Sequence, residues 1–360
     1  MTRAPALPWW TIAAPVVAWL LYAGLRWESG GVYLAFVAAA LIGAVLAAVH
    51  HAEVVAHRLG EPFGTLLLAV AVTVIEVGLI VSLMLAGGPA TTALARDTVY
   101  AAVMIILNGI VGLCLIVGGA RFGEQSFRLD GVSASLATLA AIVVLTLVLP
   151  NYTLSTPGPI YTTGQLGFIA VVSVGLYGTF VMVQTVRHRD YFLTVDDRDA
   201  GDAHAALPTN VTALASMGLL LACLAAVVLL AKVLSPSVEA AVVAMGAPNA
   251  LVGVIIASVV LLPEGLAALR AARANRLQTS LNLALGSALA TIGLTIPAVA
   301  IVSILMGLTL TLGIDMKSTV LLVLSLFVTG LALGTGRTTV LQGAVLIVIF
   351  ATYLFTTIVP

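Results

Sequence analysis

The chain has 360 residues, of which 61% are apolar and 8% are charged, and its 15 basic and 15 acidic side chains leave no net charge. Soluble domains carry roughly a quarter charged residues, so this composition excludes a soluble enzyme, a disulfide scaffold and a disordered chain. The balanced charge gives no indication of nucleic-acid binding. Because roughly 20 apolar residues cross a bilayer as a helix, the apolar residues suffice for about eleven spans.

Apolar runs divided by charged residues, prolines and glycines predict an all-α membrane protein with eleven transmembrane helices. The runs are solidly apolar and do not fit the alternating strands of a membrane β-barrel. The first run follows one early basic residue, Arg3, and lacks a clear small-x-small cleavage site, so we predict a retained helix rather than a signal peptide. The predicted spans are 9–25, 31–56, 63–86, 98–119, 131–149, 164–186, 211–234, 247–269, 278–306, 318–335 and 339–358.

Basic residues are distributed unevenly over the connecting segments. A cytoplasmic N-terminus puts eleven of the 15 basic residues inside and four outside, as the positive-inside rule requires. An odd number of spans then places the C-terminus outside. The inside residues are Arg3, Arg58, Arg121, Arg128, Arg187, Arg189, Arg198, Arg270, Arg273, Arg276 and Arg337, and the outside residues are Arg26, Arg96, Lys232 and Lys317, with both lysines in short loops.

A hydrophilic segment at mid-chain divides the sequence into two halves. It begins with basic residues and continues with four aspartates between Asp196 and Asp202, around an acidic stretch at 194–204. A solvated linker is the simpler interpretation, and a cation-attracting or regulatory segment is the alternative. The predicted organisation is an N-terminal transmembrane helix at 1–30, a five-helix repeat at 31–186, a cytoplasmic acidic linker at 187–210 and a second five-helix repeat at 211–360.

The two halves resemble each other around three short patterns. Glu53 precedes Gly60 and Pro62 at the same spacing as Glu239 precedes Gly246 and Pro248, the next span in each half holds one glutamate, and the span after it holds Asn108-Gly109 or Gly286-Ser287. Because a five-helix repeat has an odd number of spans, its second copy crosses the membrane in the opposite orientation. Inverted repeats are typical of transporters that bind substrate near the membrane midplane, and a chance likeness between two apolar halves is the alternative.

Two glutamates lie deep within predicted spans. Glu76 is about 14 residues into span 3 and Glu264 about 16 residues into span 8, which at ~1.5 Å per residue is near the bilayer centre. An acidic residue at this depth is costly and indicates a functional site. A glutamate that only hydrogen-bonds a neighbouring helix is the alternative.

A cation carrier has use for this pair, provided that both side chains face a common cavity. Two carboxylates balance a doubly charged ion, and calcium takes about six to eight oxygen ligands. Without the ion, adjacent carboxylates at low dielectric hold protons instead, so metal and protons compete for the same oxygens. Backbone carbonyls, water and the side chains of Asn108, Ser287, Thr73 and Ser258 are the candidates for the remaining ligands.

Prolines and glycines within the spans predict breaks in the helices. Pro263 directly precedes Glu264 and removes a backbone donor, which frees a carbonyl near Val259 or Val260 for an ion or water. Pro297 and Gly286 are candidates for the same effect. A simple packing kink is the alternative.

A histidine cluster lies at the predicted inner end of span 2. His50, Glu53 and His57 are three and four residues apart, so they share a helix face, and Glu61 follows at the entrance. A cytoplasmic gate, a metal site or a pH sensor is one interpretation. Ordinary polar residues at the membrane interface are the other.

Other chemistries lack their residues. The sequence has no Walker A motif, no HExxH motif and no paired aspartates at depth, so we predict no enzyme, no nucleotide partner and no cofactor. Cys114 and Cys223 lie in apolar runs without metal spacing and predict core packing. A channel, which would conduct without proton coupling, stays a weaker alternative.

Several of these stretches resemble one family. They are similar to the bacterial calcium/proton antiporters of the ChaA type, in the cation/calcium exchanger superfamily, from about residue 45 to the C-terminus. The stretches are His50–His57, Gly60–Thr65, Thr73–Val77, Leu149–Tyr152, Gln184–Phe192, Pro263–Gly265 and Asn282–Thr291.

The resemblance implies eleven spans, as one helix plus two inverted five-helix repeats, in a bacterial inner membrane. It implies proton-driven export of cytoplasmic calcium, with sodium or potassium as the alternative cation. Glu76 and Glu264 correspond to the glutamates of the family's repeats, and Asn108 and Ser287 to its neighbouring polar positions. The family's Gly-Asn before each glutamate is absent here, which leaves the choice of cation open. The lipid bilayer and small cations are the implied partners.

Overall fold

The structure is a computed structural model that describes residues 7–24, 31–60, 63–87, 91–193, 208–244, 246, 248 and 250–359. These residues are almost entirely helical. Glu61 and residues 194–207, which include most of the predicted acidic linker, lie outside the described residues. The helices are α1 (Trp9–Ala23), α2 (Gly31–Leu59), α3 (Phe63–Gly87), α4 (Leu94–Phe122), α5 (Leu129–Tyr152), α6 (Thr163–Arg187), α7 (Asn210–Ala244), α8 (Ala250–Val260), α9 (Leu262–Arg273), α10 (Leu277–Met306), α11 (Met316–Leu333) and α12 (Val340–Ile358).

Most of these helices have the length and composition of membrane spans. Within the described ranges nine helices pass that test, and α8 with α9 makes a tenth if this pair, bent by 55°, counts as one broken span. The 15-residue α1 is apolar but shorter. The prediction of a multi-span helical membrane protein is therefore confirmed.

One helix end differs clearly from the prediction. Span 7 was expected to end at residue 234, but α7 continues to Ala244 and contains Pro236. Three alanines and one glutamate among the eight residues after Pro236 favour helix, which offsets part of the cost of an interior proline. Lys232 therefore lies within α7, and Lys317 lies in the first turn of α11, so the placement of both lysines in short loops was wrong.

The chain forms two compact units. The first unit comprises Met1–Thr91 and Asp202–Met245, and the second comprises Thr92–Gly201 and Gly246–Pro360. In the first unit α2 and α7 run along each other, with α1 and α3 packed against both. Small buried residues such as Ala44 and Ala48 permit close approach of these helices.

In the second unit α4 is the central helix. It contacts α8, α9, α10, α11 and α12, and Leu107 and Leu115 are fully buried along it. Its middle, Ile105–Ile110, is a π-helical segment, and α10 has another at Thr291–Thr295. Such wide turns are rare and are frequent at functional sites.

The connections of the second unit gather at its two ends. The two-residue strands β1 (Gln125–Ser126) and β2 (Arg337–Thr338) pair antiparallel at one end. A chain that crosses the membrane back and forth would place the connections at this end and those at the other end on opposite sides of the membrane. Bonds at the opposite end join Arg96 to the Gly313 carbonyl, Asn151 to the Ile314 carbonyl and Lys317 to the Thr356 carbonyl, while bonds at the strand end join Gln125 to Asn275 and the Arg128 amide to Gln278.

Candidate ion-binding site

Glu76 lies inside α3, in the first unit. The helix is continuous from Phe63 to Gly87, and Glu76 is only 1% exposed. Thr73, one turn earlier, is also buried and donates its hydroxyl hydrogen to the Ala69 carbonyl oxygen at 2.8 Å. That bond leaves the lone pairs of the Thr73 oxygen available to a ligand.

Glu264 lies in the second unit, directly after a helix break. α8 ends at Val260, α9 begins at Leu262, and the two axes differ by 55°. Pro263 is the second residue of α9, where a missing N–H costs nothing, so the chain starts a new helix here instead of kinking one span. Because Pro263 has no N–H, the Val259 carbonyl receives no helical bond from it. The half-buried Glu264 is in the first turn of α9, where the helix dipole favours a carboxylate.

Three predicted site residues lie on segments of the second unit that contact one another. α9, with Glu264, packs against α10, with the half-buried Ser287, and both contact the π-helical segment of α4. That segment holds Asn108, which is fully buried, at 0% exposure. A carboxylate, an amide and a hydroxyl are therefore carried by three packed segments, and these groups supply the oxygen ligands that hard cations prefer.

An apolar cavity of about 240 Å³ lies beside the break. Ser258 contributes to its wall, with apolar side chains that include Ile110, Leu262 and Phe350. The Ser258 hydroxyl donates to the Val254 carbonyl oxygen at 2.7 Å. Of the predicted ligands, Ser258 is the one that borders this cavity.

The histidine cluster lies on the last turns of α2. Glu53 and His57 are exposed, while His50 is half-buried against the Trp10 ring, with centroids 5.8 Å apart. The buried member is His51, whose Nε2 donates to the Thr11 carbonyl oxygen at 3.1 Å. The spacing in the sequence had indicated His50, Glu53 and His57 instead. It did not indicate His51, because this residue lies on the buried face of α2 among apolar side chains. Across the described residues no group of three or more His, Cys, Asp or Glu side chains could hold a metal ion.

A polar cavity of about 160 Å³, which sequence reasoning missed, lies where α4 and α11 begin. Arg96 and Asp97 form an ion pair at 2.7 Å on its wall, beside Asp315 and Lys317. Burial by itself raises the pKa of Asp315, but hydrogen bonds from Ser318 and the charges of Lys317 and Arg96 outweigh it and lower this pKa. These residues are far apart in sequence, so no local pattern indicated the cluster.

The two cysteines are free and buried, as predicted. A helical membrane protein with carboxylates inside its apolar helices and a broken helix has the architecture of a secondary transporter. The chain belongs to the sodium/calcium exchanger protein family, whose profile matches residues 29–186 and 215–359.

Individual relatives agree with this assignment. The chain is 50% identical to y4hA of Sinorhizobium fredii, which is named as a candidate ionic transporter, over 99% of this chain and 98% of that protein. It is 39% identical to the sodium-potassium/proton antiporter ChaA of Escherichia coli, over 88% of this chain and 87% of that protein. The resemblance to bacterial cation/calcium exchangers is thus confirmed, and the named relatives are transporters rather than enzymes.

A solved structure has the same fold. The crystal structure of an H+/Ca2+ exchanger, CAX, superposes with a TM-score of 0.72 at 16% sequence identity, over 96% of this chain and 87% of that one. At this identity the likeness is one of fold.

Proposed function

We propose that this protein is a secondary active antiporter that exchanges cytoplasmic calcium for protons across a bacterial inner membrane by alternating access. The observation that carries the proposal is the set of Glu264, Asn108 and Ser287 on three mutually packed segments beside a broken helix. Membership of the exchanger family supports cation exchange. No cofactor takes part in this scheme, because the ion and the protons are both cargo.

Glu76 and Glu264 are the proposed ligands for the cation and, after its release, the carriers of the protons. Two carboxylates neutralise one divalent ion, and neither tolerates uncompensated charge in a low-dielectric interior. Loss of the ion therefore requires uptake of protons, which couples the two fluxes. Asn108, Ser287, Thr73 and Ser258 are the proposed sources of neutral oxygen ligands, together with the Val259 carbonyl.

The proposed architecture is one N-terminal span followed by inverted five-helix repeats at 31–186 and 211–360, joined by the linker at 187–210. The family profile matches in two segments with nearly these limits. Gly60 and Gly246, which occupy equivalent places in the proposed repeats, both have positive φ, at 70° and 65°. This scheme assigns a gate or pH sensor near the cytoplasmic entrance to four residues, His50, Glu53, His57 and Glu61.

Sodium or potassium is the second candidate for the cation. The 39% identical relative is named for sodium and potassium exchange. One carboxylate would then neutralise a monovalent ion while the other keeps its proton. The scaffold and the coupling principle are the same.

Everted membrane vesicles loaded with a pH-sensitive dye test the function. Added calcium should release protons, and Glu76→Gln or Glu264→Gln should abolish the response, because glutamine neither balances the ion nor carries the proton. Sodium and potassium salts added to the same vesicles identify the cation. Glu124→Gln is the matched control, since Glu124 is an exposed glutamate that pairs with Arg337 at 3.3 Å. A calcium response that survives in both variants would overturn the site assignment.

A further inference from the structure

We infer that Ser325, on α11, is a positioning residue for cation binding that acts by orienting the Asn108 amide. The inference rests on the proposed function, in which the Asn108 oxygen is a ligand. Ser325 and Asn108 are 217 positions apart in the sequence and lie 2.9 Å apart in space, Oγ to Nδ2. No ion ligand is proposed on α11, so the inference extends the site to a further helix.

The contact is a polar pair in an apolar interior. Both Asn108 and Ser325 are 0% exposed, and so are Leu107, next to Asn108 in the sequence, and Leu322, one turn before Ser325. α11 packs directly against the π-helical segment of α4 that holds Asn108. Buried polar groups of this kind pair with the protein, with ordered water or with a ligand.

The hydrogen-bond chain fixes which way the amide faces. The single hydrogen of the Ser325 hydroxyl has two acceptors within reach, the Leu321 carbonyl oxygen at 2.7 Å and the Met104 sulfur at 3.4 Å. With either acceptor the hydrogen is not available to Asn108. The Ser325 oxygen is then an acceptor for Asn108, so the atom of Asn108 that faces Ser325 must be the nitrogen.

The second amide hydrogen points to the same conclusion. Nδ2 of Asn108 also approaches the Met104 carbonyl oxygen at 3.4 Å. A flipped amide would set its own oxygen against this carbonyl and against a hydroxyl whose hydrogen is already used. The arrangement therefore holds both N–H groups of Asn108 on one side and turns Oδ1 to the other.

The side-chain oxygen of Asn108, Oδ1, has no partner in the described part of the protein. Oδ1 of Asn108 is buried and has no hydrogen-bond partner among the described residues. An unsatisfied buried acceptor is costly, and a hard cation is a natural partner for an amide oxygen. The segment that holds this oxygen contacts the helices of Glu264 and Ser287, so Ser325 sets which face of the amide a bound ion meets.

Substitution of Ser325 tests this role in the vesicle assay. Ser325→Ala frees the amide to rotate and present N–H groups to the ion, so the apparent KM for the transported cation should rise by about three- to tenfold, the change expected from one lost hydrogen bond. The maximal rate should change much less, because both glutamates remain. Ser325→Thr keeps the hydroxyl and should restore the wild-type KM.

Thr329 provides a matched control. It lies one turn further along α11, is equally buried at 0% exposure, and its hydroxyl has no hydrogen-bond partner within the described part of the chain. Thr329→Val removes a buried hydroxyl at constant shape and should leave the KM unchanged. The comparison separates loss of the Asn108 contact from a general disturbance of α11.

The outcomes distinguish this inference from the function on which it rests. If no salt of calcium, sodium or potassium releases protons from wild-type vesicles, the proposed antiport fails. If the wild type exchanges but Ser325→Ala has an unchanged KM, or Thr329→Val raises the KM as much, the positioning role is overturned while the antiport stands. A KM that rises in Ser325→Ala and returns in Ser325→Thr supports it.

Discussion

At the scale of single residues, polar side chains in this protein act chiefly by satisfying backbone groups. Asp315 illustrates this at the start of α11, where its Oδ1 accepts from the Ser318 amide at 2.7 Å. Lys317 and Arg96 add favourable charge, and together with the Ser318 bonds they lower the pKa of Asp315 despite its partial burial. The ionised form of Asp315 is therefore the one that stabilises the fold.

Removal of this helix cap should lower stability. We expect Asp315→Ala to cost about 0.5–2 kcal/mol at neutral pH and Asp315→Asn less, because asparagine also caps helices. A lowered pKa means that the contribution of the charge is present above the ordinary value of 3.8 and is lost as the pH falls through the lowered value. Thermal unfolding of detergent-solubilised protein measures both effects. An alanine variant as stable as the wild type at neutral pH would contradict the expectation.

At the scale of helices, glycine sets how closely two spans approach. A Cβ atom at Gly343 of α12 would lie 2.7 Å from both the Gly112 oxygen and the Ile116 nitrogen of α4. These are backbone atoms, which cannot rotate away as a side chain does. The packing of α12 on the central helix therefore requires the absence of a side chain at this position.

Gly343→Ala should push α12 away from α4 and lower the unfolding midpoint measurably. Gly330→Ala is the matched control, since a Cβ atom at Gly330 of α11 meets nothing within 4 Å. Alanine is favoured over glycine within helices by about 0.5–1 kcal/mol, so the control should be neutral or stabilising. Equal destabilisation by both substitutions would show that the close contact is not the cause.

At the scale of the whole molecule, the sequence predicted the class and most spans but not the details that shape the site. Long apolar runs determine where helices lie, because a bilayer requires them. The helix break near Glu264 was only indicated by Pro263, whose effect depends on whether it lies within a helix or at its start. The partnership of Asn108 with Ser325 was not predictable, because their 217-residue separation leaves no local pattern.

The predicted path through the membrane has a direct test. Eleven spans with a cytoplasmic N-terminus place the C-terminus outside, so alkaline phosphatase fused after residue 360 should be active and a green fluorescent protein fused there should stay dark. The same reporters placed in the linker at 187–210 should give the opposite pattern. A fluorescent C-terminal fusion would require an even number of spans or a reversed orientation.

The wide turn in the middle of α4 sets the direction in which all later side chains of this helix point. One additional residue in a helical turn rotates every later side chain by about 100° around the axis. The face that Val111–Phe122 offers to α12 thus depends on a register set at Ile105–Ile110. Deletion of a single amino acid from Ile105–Ile110 would leave every loop at its present length. It would nevertheless turn Cys114 and Leu115 away from their present neighbours, and a different face of the helix would then meet α12.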